Sequence, residues 1–204
     1  MQRYFKETNL DVFDLSSDDS YHIKTVMRNK IGDKVEVVID KKLYICEITQ
    51  MNDLVTVKKI EEVECNSELP CYVTIAQSLV KEQKMDLILQ KSCELGVSEI
   101  IPINAARSIV KLDKKENKKI ERWNKILKEA SEQSKRVVIP FVNEIKDINN
   151  LKIIFVIGPE GGFTDSEEQI LMDNGFISTS FGRRVLRTET ASLYALSIIN
   201  YILM

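Results

Sequence analysis

The stretch VIGPEGGFTDSEE, Val156 to Glu168, limits what this chain can fold into more than any other. An apolar run stops at a glycine-rich loop, and a helix start follows, with Asp165 or Ser166 as the expected cap. A continuous apolar strand of this kind belongs in a parallel sheet covered on both faces. In such sheets, ligands lie beyond the C-terminal ends of the strands. Glycines there let the backbone approach a ligand closely. Phosphate loops add a lysine, but this one has none and carries Glu160, which would repel a phosphate. The loop matches neither the dinucleotide fingerprint nor the P-loop. It suits a neutral or cationic ligand read by backbone groups, or a tight strand-to-helix turn with no ligand.

The rest of the chain supplies the context for such a sheet. From Tyr72 onward β and α patterns alternate, which predicts an α/β domain with a mostly parallel sheet. YVTIAQSLV (Tyr72–Val80), EIIPI (Glu99–Ile103), KIIFVI (Lys152–Ile157) and FISTSF (Phe176–Phe181) read as strands. A helix over KEQKMDLILQKSCELG puts Met85, Ile88, Leu89 and Ser92/Cys93 on one face and ends at Gly96. A longer helix, Asn117 to Ser134, has Ile120, Trp123, Ile126, Leu127 and Ala130 at helical spacing, with Trp123 read as core. A last apolar helix, ASLYALSIINYILM, reads as buried in a core or a subunit interface. Residues 1–68 read as a separate β-rich unit, with strands at Val35–Asp40, Leu43–Thr49 and Leu54–Val63. A short helix before them, capped by Ser17 or Asp18, is expected to turn Tyr21, Val26 and Met27 inward. CNSELPC, residues 65–71, reads as a linker, so the domains are expected at 1–68 and 72–204.

Composition narrows the function classes. A net charge of −2 excludes coating of nucleic acid by bulk charge. A local patch remains: between Arg107 and Arg136 there are eleven Lys/Arg against five Asp/Glu. The four cysteines form no C-x-x-C pair and there is one histidine, so no metal site is expected. No apolar run approaches membrane-spanning length and no apolar h-region follows the first charges, so the cytoplasm is the expected compartment.

FGRRVLRTETA, Phe181 to Ala191, is the second informative stretch. Arg183, Arg184, Arg187 and Glu189 stand beside an apolar helix, where charge is costly unless paired or used. Thr188 or Thr190 can cap that helix, but a cap does not require three arginines.

VIGPEGGFTDSE followed by FGRRVLRTETA resembles the RsmE family of SPOUT methyltransferases. The resemblance extends to RYF (Arg3–Phe5), HIKTVMRNKIGD (His22–Asp33), QKSCELGVSEIIPI (Gln90–Ile103), ARS (Ala106–Ser108) and EASEQSKRVVIP (Glu129–Pro140). It implies an N-terminal PUA-like β-barrel and a C-terminal SPOUT α/β domain with a deep trefoil knot. It also implies S-adenosylmethionine as cofactor, N3 of one uridine in 16S rRNA of the small ribosomal subunit as substrate, and a homodimer built on the C-terminal helix. Two knot loops would hold the cofactor. The first comprises Ile157, Gly158, Pro159, Glu160, Gly161 and Gly162. The second comprises Phe181, Gly182, Val185, Leu186, Arg187, Thr188, Thr190 and Ala191. The cofactor is a sulfonium cation without a phosphate, which accounts for a loop with a carboxylate and no lysine.

Uracil N3 is a poor nucleophile while protonated, so transfer needs alignment, loss of a proton and stabilisation of negative charge on the uracil oxygens. Arg107, Arg136 and Arg187 are the candidate stabilisers, because arginine stays charged and presents a rigid fork of donors. Glu189 is the candidate base, with Glu94 as an alternative. Arg3, His22 and Arg28 are the candidate RNA contacts. Two other readings compete: a ribose 2′-O-methyltransferase on the same fold, and a ribosome-binding assembly factor with a vestigial pocket. The sequence departs from the family between Pro140 and Gly158, where it is shorter by roughly a few tens of residues.

Overall fold

The structure is a computed structural model that describes residues 1–108, 116–145 and 155–203. It divides into two compact units, Met1–Glu68 with Glu132–Val138, and Leu69–Ser131 with Ile139–Met204.

The first unit is a five-stranded sheet in the order β1-β3-β4-β5-β2. The strands are β1 (Arg3–Phe5), β2 (Val12–Asp14), β3 (Lys34–Ile39), β4 (Lys42–Met51) and β5 (Val55–Val63). β1 joins β3 in parallel and the other pairs are antiparallel. Irregular register in β4, at Ile45/Cys46 and Ile48/Gln50, adds the local twist expected of bulges. Alternation sends Val35, Val37 and Ile39 of β3 into a core with Tyr4, Phe13, Leu15, Ile48, Val55 and Val57. Val38 faces the other way and packs with Leu43 and Val137. That second apolar face explains why Glu132–Val138 joins this unit. Cys46 lies in the core, and burial pushes its thiol up to about 11.

The short helix α1 (Ser17–Tyr21) is capped by Ser16, one residue earlier than expected, whose Oγ accepts the Asp19 N–H at 3.1 Å. The chain then widens into a π-helical segment, His22–Met27. Only Ile23 of that segment is buried. Tyr21, Val26 and Met27 point to solvent, against the expectation that they face inward. The wider turn changes which residues share a face, so α-helical spacing misassigned Val26 and Met27.

The second unit is a four-stranded, all-parallel sheet in the order β8-β7-β6-β9. Its strands are β6 (Thr74–Ser78), β7 (Glu99–Ile103), β8 (Phe141–Val142) and β9 (Phe155–Ile157). The expected strand at Lys152–Ile157 is therefore seen from Phe155 on, and its first three residues lie outside the described residues. Helices α2 (Glu82–Glu94), α3 (Glu116–Gln133), α4 (Asp165–Asp173) and α5 (Thr188–Leu203) complete the unit, except that the last two residues of α3 belong to the first unit. Met85, Ile88, Leu89 and Cys93 of α2 and Trp123, Leu127 and Ala130 of α3 form the core with Ile75, Ile100 and Leu196. Gly96 ends α2 at φ +86°, where a Cβ would lie 2.8 Å from Leu69. Phe176–Phe181 forms no strand. Hydroxyls meet its backbone locally instead, with Ser180 Oγ donating to the Gly182 carbonyl at 2.8 Å, and Ile177 is left exposed.

Candidate active site

Three parallel strands deliver their C-terminal loops to one end of the sheet. β6 ends at Ser78, β7 at Ile103 and β9 at Ile157. The loop Gly158–Gly162 turns tightly, with Gly162 N–H donating to the Pro159 carbonyl at 2.9 Å. Gly162 needs its left-handed φ of +71° for that turn. At Gly161, a Cβ would lie 3.2 Å from the Cβ of Arg107, so glycine admits the arginine. Arg107 Nη1 then donates to the Gly161 carbonyl at 2.8 Å.

Glu167 fastens the next segment. It accepts the Ala106 N–H at 2.8 Å, from the loop after β7, and the Thr164 N–H at 2.9 Å. Thr164 caps α4 in a reciprocal capping box with Glu167, in place of Asp165 or Ser166. Burial alone would push the Glu167 carboxyl up, but the donated N–H groups and Arg107 hold it below its ordinary value of 4.5. A carboxyl lowered on folding stabilises the fold above its unfolded pKa, and that contribution disappears as pH falls through the folded value. Acid titration of Glu167→Gln should therefore show a variant less stable than the parent at neutral pH. The gap should narrow below about pH 4.5. An unchanged gap at pH 3 would contradict this role.

The second loop meets the first through α5. Thr188 Oγ1 donates to the Gly158 carbonyl at 2.9 Å, so Thr188, expected as a helix cap and as part of the second cofactor loop, ties the two loops together. One turn on, Ser192 Oγ donates to Gln77 Oε1 of β6 at 2.5 Å, fully buried. Lys84 of α2 joins the charged groups. Its Nζ is 2.8 Å from Glu160 Oε1 and 3.7 Å from Glu189 Oε2. The hydrogen bond from Lys84 holds the Glu160 carboxyl below the usual range and raises the Lys84 ammonium. Glu189 Oε2 is buried and accepts no hydrogen bond among the described residues. A buried acceptor without a hydrogen-bond donor is uncommon, and this one lies within ion-pair range of Lys84.

The structure thus brings together Gly158, Glu160, Gly161, Arg107, Thr188 and Glu189. Ile157 and Pro159 are buried beside them. Arg187 is exposed one residue before α5; its carbonyl accepts the Ala191 N–H at 2.9 Å, and its guanidinium makes no hydrogen bond or ion pair among the described residues. Leu186 and Ala191 are half-buried, Thr190 is exposed, and Phe181 packs edge-on to Tyr194 with centroids 5.3 Å apart. Val185 is fully exposed and Gly182 takes φ +115°. Glu94 is occupied by Lys91 at 2.8 Å.

Arg136 belongs to the first unit and is 3% exposed. Its Nε and Nη2 donate to Glu68 at 3.1 and 2.6 Å. Arg3 is buried too and donates to Glu36 Oε2 at 2.8 Å and to the carbonyls of Lys135 and Arg136. Both arginines, read from sequence as a catalytic group and an RNA contact, are committed to holding residues 132–138 on the sheet. His22 is half-buried with Nδ1 3.0 Å from the Tyr4 hydroxyl, and Arg28 is exposed. Lys84, Gln77, Glu167 and Ser192 were not singled out from sequence. Lysine on a helix and serine in an apolar run carry no local signal of function, whereas the T-x-x-E spacing of the capping box was readable.

Comparison with known proteins agrees with this geometry. The profile of an RNA methyltransferase domain matches residues 67–152 and 145–200, and that of an RNA methyltransferase PUA domain matches 15–60. The first profile matches in two pieces that meet inside the short Pro140–Gly158 segment. Ribosomal RNA small subunit methyltransferase E of Bacillus subtilis is 36% identical, over 98% of this chain and 96% of its own length. That alignment spans 247 positions against the 204 residues here, so the relative carries residues this chain lacks. The enzyme of the same name from Mesomycoplasma hyopneumoniae is 31% identical over 97% and 98% of the two chains. The crystal structure of the Neisseria gonorrhoeae enzyme bound to S-adenosyl methionine superposes with a TM-score of 0.91 at 29% identity, covering 99% and 98%. A Legionella pneumophila methyltransferase with bound cofactor gives 0.92 at 30%, covering 98% and 97%. With both units covered and the glycine loop, the arginine-rich loop and their ties intact, the chain belongs to the ribosomal RNA small subunit methyltransferase E family.

Proposed function

We propose that this chain methylates N3 of one uridine in the 16S rRNA of the small ribosomal subunit, with S-adenosylmethionine as donor. The observation that carries the reading is the crevice at the ends of β6, β7 and β9. There a glycine loop, two carboxylates and the start of α5 converge, and the buried Glu189 Oε2 has no donor. Such a cradle fits a cationic, phosphate-free group. Bound S-adenosylmethionine supplies the methyl group. Backbone groups of Gly158–Gly162 and the second loop, Phe181–Ala191, hold and orient it. Arg107 keeps Gly161 in position through the 2.8 Å bond to its carbonyl. Arg187, whose exposed guanidinium makes no hydrogen bond or ion pair among the described residues, meets the uracil oxygens as negative charge develops. Glu189 takes the N3 proton through Oε2, which accepts no hydrogen bond among the described residues and stands 3.7 Å from Lys84 Nζ.

The reading also includes a trefoil knot formed by the two loops, a PUA-like barrel in the first unit, action in the cytoplasm and a homodimer through α5. Tyr194, Tyr201 and Ile202 are exposed on that helix, which supports an interface there. No described helix is long and apolar enough to cross a membrane.

A methyl on N3 blocks the pairing edge of uracil. Reverse transcription of small-subunit rRNA treated with enzyme and cofactor should therefore stop at one uridine. Read-through at every uridine, with cofactor bound normally, would overturn the assignment. Gly161→Val should abolish cofactor binding in calorimetry, because its side chain would displace Arg107. Undiminished binding would remove the glycine loop from the cofactor site.

A further inference from the structure

Lys84 belongs to neither loop of the crevice, yet it contacts both. It sits in the first turn of α2, which follows β6 through Leu79–Lys81, so it lies at the same end of the sheet as the loops. Its ammonium reaches Glu160 of the first loop at 2.8 Å and Glu189, at the start of α5, at 3.7 Å. Arg187 is close enough to oppose the Lys84 charge, and Lys81 is close enough to act on Glu160. The Lys84 side chain is 32% exposed. Ion pairs this open add little to stability, so the fold alone gives no reason for a lysine that spans two loops.

This lysine has donors to spare. An ammonium carries three N–H groups. Glu160 takes one in a hydrogen bond, whereas Glu189 Oε2 is an ion-pair partner that accepts no hydrogen bond among the described residues. The start of α2 adds to the positive side. Lys81 provides no side-chain cap there, and uncapped amides at a helix start favour negative charge. The outcome is a cation with free donors set directly beside a carboxylate.

That pattern is the complement of a zwitterion. S-adenosylmethionine ends in an α-amino acid, whose carboxylate and ammonium are carried on the same carbon. A neighbouring lysine and glutamate meet both, each charge facing its opposite. Backbone groups of the two loops supply no full positive charge for that carboxylate, and Arg107 is engaged with the Gly161 carbonyl. We infer that Lys84 binds the carboxylate at the amino-acid end of the cofactor, with Glu160 on the adjoining ammonium. This inference rests on the proposed methyl donor and adds a residue, outside both loops, that selects donors carrying the carboxylate.

The test measures, by calorimetry on the full chain, the affinity for S-adenosylmethionine and for decarboxylated S-adenosylmethionine, which keeps the sulfonium and lacks the carboxylate. Lys84→Met should weaken binding of S-adenosylmethionine about tenfold, and of the decarboxylated compound by no more than about twofold. Lys84→Arg, which keeps the charge, should recover most of the loss. Equal weakening of both compounds in Lys84→Met would overturn the inference, because Lys84 would then only hold the loops together. Undiminished binding of S-adenosylmethionine by Lys84→Met would overturn it as well. A parent protein that binds neither compound would refute the proposed donor, and the inference with it. Binding that depends on both Lys84 and the carboxylate, by a protein that transfers no methyl, would uphold the inference and refute the proposed reaction instead.

Discussion

Replacing Arg187 with methionine is expected to lower kcat by about two orders of magnitude while leaving cofactor affinity within about threefold. Its guanidinium is exposed at the start of α5, next to the loops that converge on Gly158, and no described residue neutralises it. The arginine at the first loop differs. Arg107 is bound to the Gly161 carbonyl, so its loss should act on cofactor binding as well as on turnover. Arg187→Lys keeps the charge without the fork of donors, and should restore only part of the rate. Single-turnover rates with saturating cofactor measure the step directly. Rates equal to the parent's in Arg187→Met would remove Arg187 from the reaction.

The largest expected effect on stability lies in the other unit. Glu68→Ala removes the carboxylate that accepts from Arg136 Nε and Nη2, and from the Val137 and Val138 N–H groups at 2.9 and 3.2 Å. Arg136 is almost wholly buried, and stripping one partner from a buried pair costs far more than the pair contributes. The expected loss is about 3 kcal/mol, read from the midpoint of urea unfolding. Glu68→Gln retains an acceptor for one amide and should fall between. A loss below about 1 kcal/mol would mean that the apolar contact of Val137 with Val38 and Leu43 holds the segment without the ion pair.

Glu68 and Arg136 also illustrate what the sequence does and does not disclose. Alternating β and α patterns, the glycine stop at Gly96 and the core role of Trp123 follow local rules, and all three appear in the structure. The glycine loop was readable as a strand-to-helix turn, from the apolar run that stops at Gly158 and the helix start that follows. Long-range pairing was not readable. Arg136 and Glu68 are 68 residues apart, and Arg3 reaches carbonyls more than 130 residues away. Their charges therefore looked available for substrate when they are spent on the fold. Lys84 was missed for the converse reason: on a helix surface it reads as solvated, yet folding brings it to Glu160 and Glu189. Phe176–Phe181 has the composition of a strand, but a strand also needs a partner edge, and hydroxyl-to-backbone bonds stand in its place. At Val26 and Met27 the expected period was wrong, because one π turn shifts every later side chain around the helix.

The most direct test of the account is the chemical identity of the product. Purified protein is incubated with methyl-labelled S-adenosylmethionine and small ribosomal subunits from cells lacking this enzyme, with naked rRNA in parallel. The RNA is then digested to nucleosides and separated. The account predicts label in 3-methyluridine alone, and its loss in Arg187→Met and Gly161→Val. Label in a 2′-O-methyl nucleoside would contradict the uridine-N3 chemistry while keeping the cofactor site. No label from a protein that fails to bind the cofactor would contradict the site itself, and would leave a ribosome-binding protein with a vestigial pocket.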